Sequence, residues 1–194
     1  MAAPLPRGSA LTSELVERAQ RGDHEAFDAL ASAAYHRLYA IARRILRDGY
    51  AAEDAVQDAL VRAWRDLWGL RDPGAFDAWM HRLLVRACAD QQRRARRTRL
   101  DVAIEPLDHP EPTDEFARVA DRDALDRAFD RLSFDQRAVL VLTHYVGLPG
   151  PEVAEVLGIP VGTVASRLHY AIRAMRAELA PTPDLPMPSA EHVR

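Results

Sequence analysis

Between Gly147 and Thr163 the chain reads GLPGPEVAEVLGIPVGT, and its prolines and glycines punctuate that stretch in only one economical way. Pro151 suits the first turn of a short helix, Leu157-Gly158 suits its end, and Pro160 suits the start of the next. Ala154 leaves room for a second helix to cross closely, Gly158 lets the backbone turn, and Val164 plugs the angle between the two. With Val153, Leu157 and Ile159 this is the spacing of a helix-turn-helix.

The second of these helices, VGTVASRLHYAIRAMRAEL, is two-faced. At about 100° per residue Val164, Leu168, Ala171, Ile172, Met175 and Leu179 share one stripe, with Ser166, His169, Tyr170, Arg173 and Arg176 roughly opposite. No acid precedes Glu178 in this helix. A helix-turn-helix presents such a face to a DNA major groove.

Every other ordered block also carries the helical period, and no alternating strand pattern competes. The expected fold class is all-α: two small helical domains joined by a flexible acidic linker. Residues 1–10 form an N-terminal tail and residues 11–99 a first helical domain. There Phe27, Leu30, Ala34, Leu38, Ile41, Ala42 and Ile45 keep a core-facing rhythm, and Asp72 and Pro73 start a helix. Residues 100–120 are the acidic, proline-containing linker. The helix-turn-helix domain spans residues 121–180, followed by a proline-rich tail, 181–194, expected to be disordered.

Net charge is −3, but its distribution carries more information than its total. From Arg82 to Arg99 seven arginines face one acid, Asp90. From Asp101 to Asp130 ten acids face three arginines. The arginine run can neutralise phosphates and release counterions. A lone cysteine, Cys88, excludes an internal disulfide and a multi-cysteine zinc site, and reads as a buried small hydrophobe. No phosphate-binding glycine loop, Glu-x-x-His pair or zinc-protease motif is present, so neither a cofactor nor a metal is expected, and no catalytic residue. Asp77 and His81, four apart, read as a surface contact. No apolar run is long enough to cross a bilayer, which points to a cytoplasmic protein without membrane insertion.

AEDAVQDALVRAW, FDAWMHRL with its DQQRRARR end, and LGIPVGTVASRLHYAIRAMR together resemble a bacterial sigma factor of the extracytoplasmic-function group of the sigma-70 family. The resemblance covers most of the chain. It implies a protein that recruits core RNA polymerase to promoters and opens the DNA, with no catalysis of its own.

It also implies residue roles. Asp54, Gln57, Asp58, Val61 and Arg62 form a polar stripe that would dock the polymerase clamp helices, with Ala55, Ala59 and Ala63 packing behind. The helix ending in arginines would read and melt the minus-ten element through Arg86, Asp90, Arg93, Arg94 and Arg97. The preceding loop, LWGLRDPGAF, would offer Arg71 and Phe76 to an extruded base. Trp64, Trp68 and Trp79 fit core packing better. Arg86 stands where the family usually has asparagine, and a guanidinium lacks the amide's paired donor and acceptor, which leaves the minus-ten preference open. Thr163, Ser166, Arg167, His169, Tyr170 and Arg173 would face the minus-thirty-five element. The apolar run RAVLVLTHYVGL would pack the second domain and offer a surface to the polymerase flap. Partners implied are core RNA polymerase, promoter DNA and an anti-sigma factor. The rival reading is a stand-alone helix-turn-helix transcriptional regulator, which leaves the arginine-ended bundle without a role.

Overall fold

The computed structural model describes residues 10–101 and 118–179, with side chains described for 10–97 and 124–179; the expected tails and most of the expected linker lie outside these residues. Eight α-helices and no strand occur among the described residues: α1 (Ala10–Gln20), α2 (His24–Leu46), α3 (Gly49–Asp66), α4 (Phe76–Asp101), α5 (Arg118–Asp130), α6 (Phe134–Leu140), α7 (Gly150–Leu157) and α8 (Val161–Leu179).

The helix starts are chemically defined. Asp23 and Asp48 cap α2 and α3, their carboxylates accepting from the backbone N–H of Ala26 and Ala51. Ser133 and Gln136 form a reciprocal capping box at α6. The break between α3 and α4 holds two 3₁₀ turns, Leu67–Gly69 and Pro73–Ala75. Asp72 accepts from Gly74 N–H, so the Asp-Pro signal starts the 3₁₀ turn, and α4 follows at Phe76.

α2 lies at the centre of the first helical group. All seven residues of its expected rhythm, from Phe27 to Ile45, are buried. α3 packs against both α4 and α2, and its Ala52, Ala55, Ala59 and Ala63 are fully buried. Cys88 is also fully buried, which pushes its thiol up to about 12.

The second group packs α5, α6 and α8 around Ala128, Leu132, Leu140, Ala171 and Met175. α6 runs into a five-residue π turn, Val141–Tyr145, where Val141 and Leu142 are buried. One continuous buried layer joins Val139, Val141 and Leu142 of this group to the residues of α2 and α4.

His81 departs from expectation. It is 4% exposed rather than at the surface, beside the Arg37–Asp77 ion pair, and neither ring nitrogen has a hydrogen-bond partner among the described residues. Burial, reinforced by Arg37 and opposed by Asp77, pushes its pKa down to about 4. The fold therefore holds the neutral ring, and between pH 6.5 and 4 the unfolded chain binds more protons than the folded one. Stability should fall as pH drops through that window, by up to about 3 kcal/mol from this residue. Urea unfolding at about pH 7 and about pH 4.5 should show this loss in the wild type. His81→Leu should be about 1 kcal/mol more stable at neutral pH, having no orphaned polar atoms, and its loss of stability on acidification should be smaller. An unchanged acid response in His81→Leu would assign the sensitivity to other groups.

Candidate nucleic-acid and polymerase interface

α7 ends at Gly158, whose φ of +65° is left-handed; its N–H and that of Ile159 turn back to α7 carbonyls, Ile159 reaching Ala154 O at 3.0 Å. Pro160 O then accepts from Thr163 and Val164 N–H at the start of α8. Val153, Ala154 and Val156 of α7 and Val164 of α8 are buried, and the two helices pack on each other. This is the helix-turn-helix expected from the punctuation.

On α8 the packing stripe is observed with one exception. Val164, Ala171 and Met175 are buried and Leu168 and Ile172 half-buried, whereas Leu179 is exposed at the helix end. Ser166, His169, Tyr170, Arg173 and Arg176 are all exposed, so the opposite face is free of the core. The His169 and Tyr170 rings meet edge to face at 5.6 Å. Ser166 Oγ donates to Thr163 O, which orients the first turn. Arg167 differs from its neighbours: it is half-buried and pairs with Asp135 of α6 at 2.8 Å.

The arginine run on α4 is divided between two tasks. Arg86, Arg93, Arg94, Arg96 and Arg97 are exposed. Asp90 accepts from Arg62 of α3 at 2.7 Å and from Arg93 on its own helix. The Arg62 hydrogen bond, with the charges of Arg62, Arg93 and Arg94, outweighs burial and holds the Asp90 carboxyl below the usual range. Asp90 is thus engaged within the protein, where it orients arginines. Arg94 also lies 3.7 Å from Asp58.

The Leu67–Phe76 loop separates its two candidate residues. Arg71 is exposed, but Phe76 is 3% exposed, its ring 6.1 Å from that of Trp79, and it anchors the loop from within. Core packing holds for Trp79, which is half-buried, and fails for Trp68, which is 78% exposed, with Trp64 also exposed beside His24 and Phe27. The reason is that α3 gives way to a 3₁₀ turn at Leu67, which buries Leu67 and turns the next residue outward. The Trp68 indole N–H donates to Arg65 O at 2.9 Å.

The expected stripe on α3 splits as well. Asp54, Gln57 and Val61 face solvent, while Asp58 and Arg62 are half-buried against Arg94 and Asp90 of α4. Tyr50, 81% exposed, and Trp64 share the outward side at three- and four-residue spacing, with Trp68 continuing it beyond the helix. Helical spacing and the resemblance put Asp58 and Arg62 in the stripe, assigned Trp64 and Trp68 to the core, and did not bring in Tyr50. The spacing of these aromatics from Val61 was the available signal.

Among the described residues no cluster of His, Cys, Asp and Glu could hold a metal ion, and no helix is long and apolar enough to cross a membrane.

Sigma-70 region 2 matches residues 30–98 of the chain, and Sigma-70 region 4 matches residues 122–175. The ECF RNA polymerase sigma factor SigM of Mycobacterium tuberculosis is 36% identical over 87% of this chain and 82% of its own length. Among solved structures, CnrH in complex with the cytosolic domain of CnrY is 31% identical with a TM-score of 0.62, covering 87% of this chain and 97% of that one. The Bartonella quintana sigma factor RpoE, in complex with the anti-sigma factor NepR, is 27% identical with a TM-score of 0.63, covering 79% and 96%. Two family regions in the expected order, and relatives that match along most of their length, show that this chain belongs to the extracytoplasmic-function RNA polymerase sigma factors, the proteins that direct promoter-specific transcription initiation.

Proposed function

We propose that the two helical groups divide promoter recognition between them, and that α3 docks the polymerase. The observation that carries this reading is the α8 face: five polar or aromatic side chains exposed opposite a packed stripe, on the second helix of a helix-turn-helix. Ser166, His169 and Tyr170 read base edges of the minus-thirty-five element, and Thr163, Arg167 and Arg173 contact phosphates or a guanine edge. Arg86, Arg93, Arg94 and Arg97 hold the backbone at the minus-ten element, with Asp90 orienting Arg93. Arg71 and the exposed Trp68 meet an unstacked base, a role Phe76 supports from beneath.

Asp54, Gln57 and Val61, extended by Tyr50 and Trp64, form the surface that meets the clamp helices of core RNA polymerase. Asp58 and Arg62 set the α3–α4 spacing behind it. Residues 11–99 and 121–180 act as the two recognition domains, joined by residues 100–120. The protein works in the cytoplasm, catalyses nothing itself and needs no cofactor; bond formation belongs to the polymerase. Because CnrH is solved with the cytosolic domain of CnrY and RpoE with the anti-sigma factor NepR, an anti-sigma factor is the regulator we expect for this chain too. A stand-alone regulator is not favoured, because the family match includes region 2.

Run-off transcription from a promoter library with core polymerase should give transcripts that depend on this protein and share two upstream elements. Duplex binding without any transcript would return the stand-alone regulator. Tyr170→Ala and His169→Ala, at exposed positions, should leave thermal stability unchanged. Each should lower minus-thirty-five-dependent transcription by about 5- to 100-fold, the range of a lost base contact; equal activity on promoters with and without that element would remove these residues from the reading set. Val61→Asp should weaken binding to core polymerase in fluorescence anisotropy while the free chain stays folded, and wild-type affinity would place the docking surface elsewhere.

A further inference from the structure

The last residue of α1 reaches the loop that precedes α4. The Gln20 amide donates to Leu67 O at 2.9 Å and to Leu70 O at 2.7 Å. Carbonyls only accept, so both hydrogens come from the amide NH2, and this one group spans the 3₁₀ turn Leu67–Gly69 and the residue after it. Each clamped carbonyl belongs to a buried residue, and the residue that follows each, Trp68 and Arg71, is exposed. The clamp therefore holds the inner side of the backbone at the two points from which the outward side chains leave.

Gln20 is itself held in place. Two residues earlier, Arg18 donates to Asp23 Oδ2 from Nε at 2.9 Å and from Nη2 at 2.7 Å, and the other oxygen of that carboxylate caps α2. The corner between α1 and α2 turns at Gly22, whose φ of +92° is left-handed. α1 also packs on both 3₁₀ turns of the loop. The loop is thereby tied to the frame of α2 through a helix far from it in sequence.

The way Trp68 is held decides which part of it is offered. Its indole N–H, the side chain's one polar hydrogen, is engaged by Arg65 O at 2.9 Å, which leaves the ring face. A ring face stacks on any base, whereas the Arg71 guanidinium supplies donors to base acceptors alone. For a base resting on Trp68, discrimination then depends on where Arg71 stands, and the backbone between Leu67 and Leu70 sets that relation.

We propose that Gln20 is a positioning residue for the minus-ten site: its bridge from α1 to Leu67 and Leu70 fixes Trp68 and Arg71 in the arrangement that distinguishes one unstacked base from another. The proposal rests on the reading above that these two side chains meet such a base. Gln20 acts through the loop, without contact to DNA.

The test uses the full chain with core RNA polymerase and fork-junction DNA from a promoter found by run-off selection, with all four bases placed in turn at each minus-ten position. Arg71→Ala should identify the contacted position as the one where preference among the bases collapses. Gln20→Met keeps the length of the side chain and removes its donors; at that position it should cut the preference about 5- to 10-fold, the range of one or two lost hydrogen bonds. Preference at the other minus-ten positions and affinity for core polymerase should stay at the wild-type level. Gln20→Met combined with Arg71→Ala should be no worse at that position than Arg71→Ala alone, because the two act in series. Should Gln20→Met fail to fold, Gln20→Asn keeps the amide and withdraws it by about 1.5 Å, the length of one carbon–carbon bond, with the same direction expected. Unchanged preference in the Gln20 variant, an equal loss at every minus-ten position, or additive losses in the double variant would each overturn the positioning role. Full preference at every position in both Arg71→Ala and Trp68→Ala would instead sink the base-capture reading, and the role of Gln20 with it.

Discussion

The buried stripe of the 23-residue helix α2, from Ala26 to Leu46, has to be covered along its whole length. Each fully buried aliphatic or aromatic residue there contributes about 1.5–3 kcal/mol. No single partner helix can shield that much apolar surface, so α1, α3 and α4 wrap it, and Val139, Val141 and Leu142 of the second group join the same buried layer. The end of α2 then becomes an anchor. Ile45 offers its carbonyl to Arg137, and Arg47 reaches across to α5.

Close packing on this centre decides which charges remain for a partner. α3 and α4 lie side by side, and across them Arg62 meets Asp90 and Asp58 meets Arg94. The arginine-rich end of α4 is therefore a framed array rather than a loose run of cations. Framing has a use on a nucleic-acid surface: a guanidinium already held by a carboxylate keeps its direction and gives up less side-chain freedom on meeting a phosphate. The α8 face is built differently. Its core stripe alone keeps it outward, and Arg167 is tied back, to Asp135.

How much could be read without coordinates follows from how local each signal is. The helix-turn-helix was legible because Gly158 and Pro160 act within a few residues of themselves, and the α2 and α8 stripes because a helix repeats its own faces. The docking stripe on α3 was legible only in part. Periodicity puts Asp54, Gln57 and Val61 on one side, but Asp58 and Arg62 lie at its edge, where an approaching helix turns them into internal ion pairs. Trp68 reads as a core residue because it continues the helical apolar rhythm, and becomes the most exposed tryptophan because α3 ends just before it. His81, spaced like a surface partner of Asp77, is buried beside the pair that Asp77 makes with Arg37 of α2.

Local pattern was enough for the all-helical class, the helix-turn-helix, the buried stripes and the family resemblance, because each is written in residues within a turn or two of one another. Helix stacking settled the rest: which arginines are engaged by internal carboxylates and which aromatics stay outside. Those outcomes depend on pairs such as Arg82 with Glu155 and Arg47 with Asp126, far apart along the chain, and no run of neighbouring residues encodes their meeting.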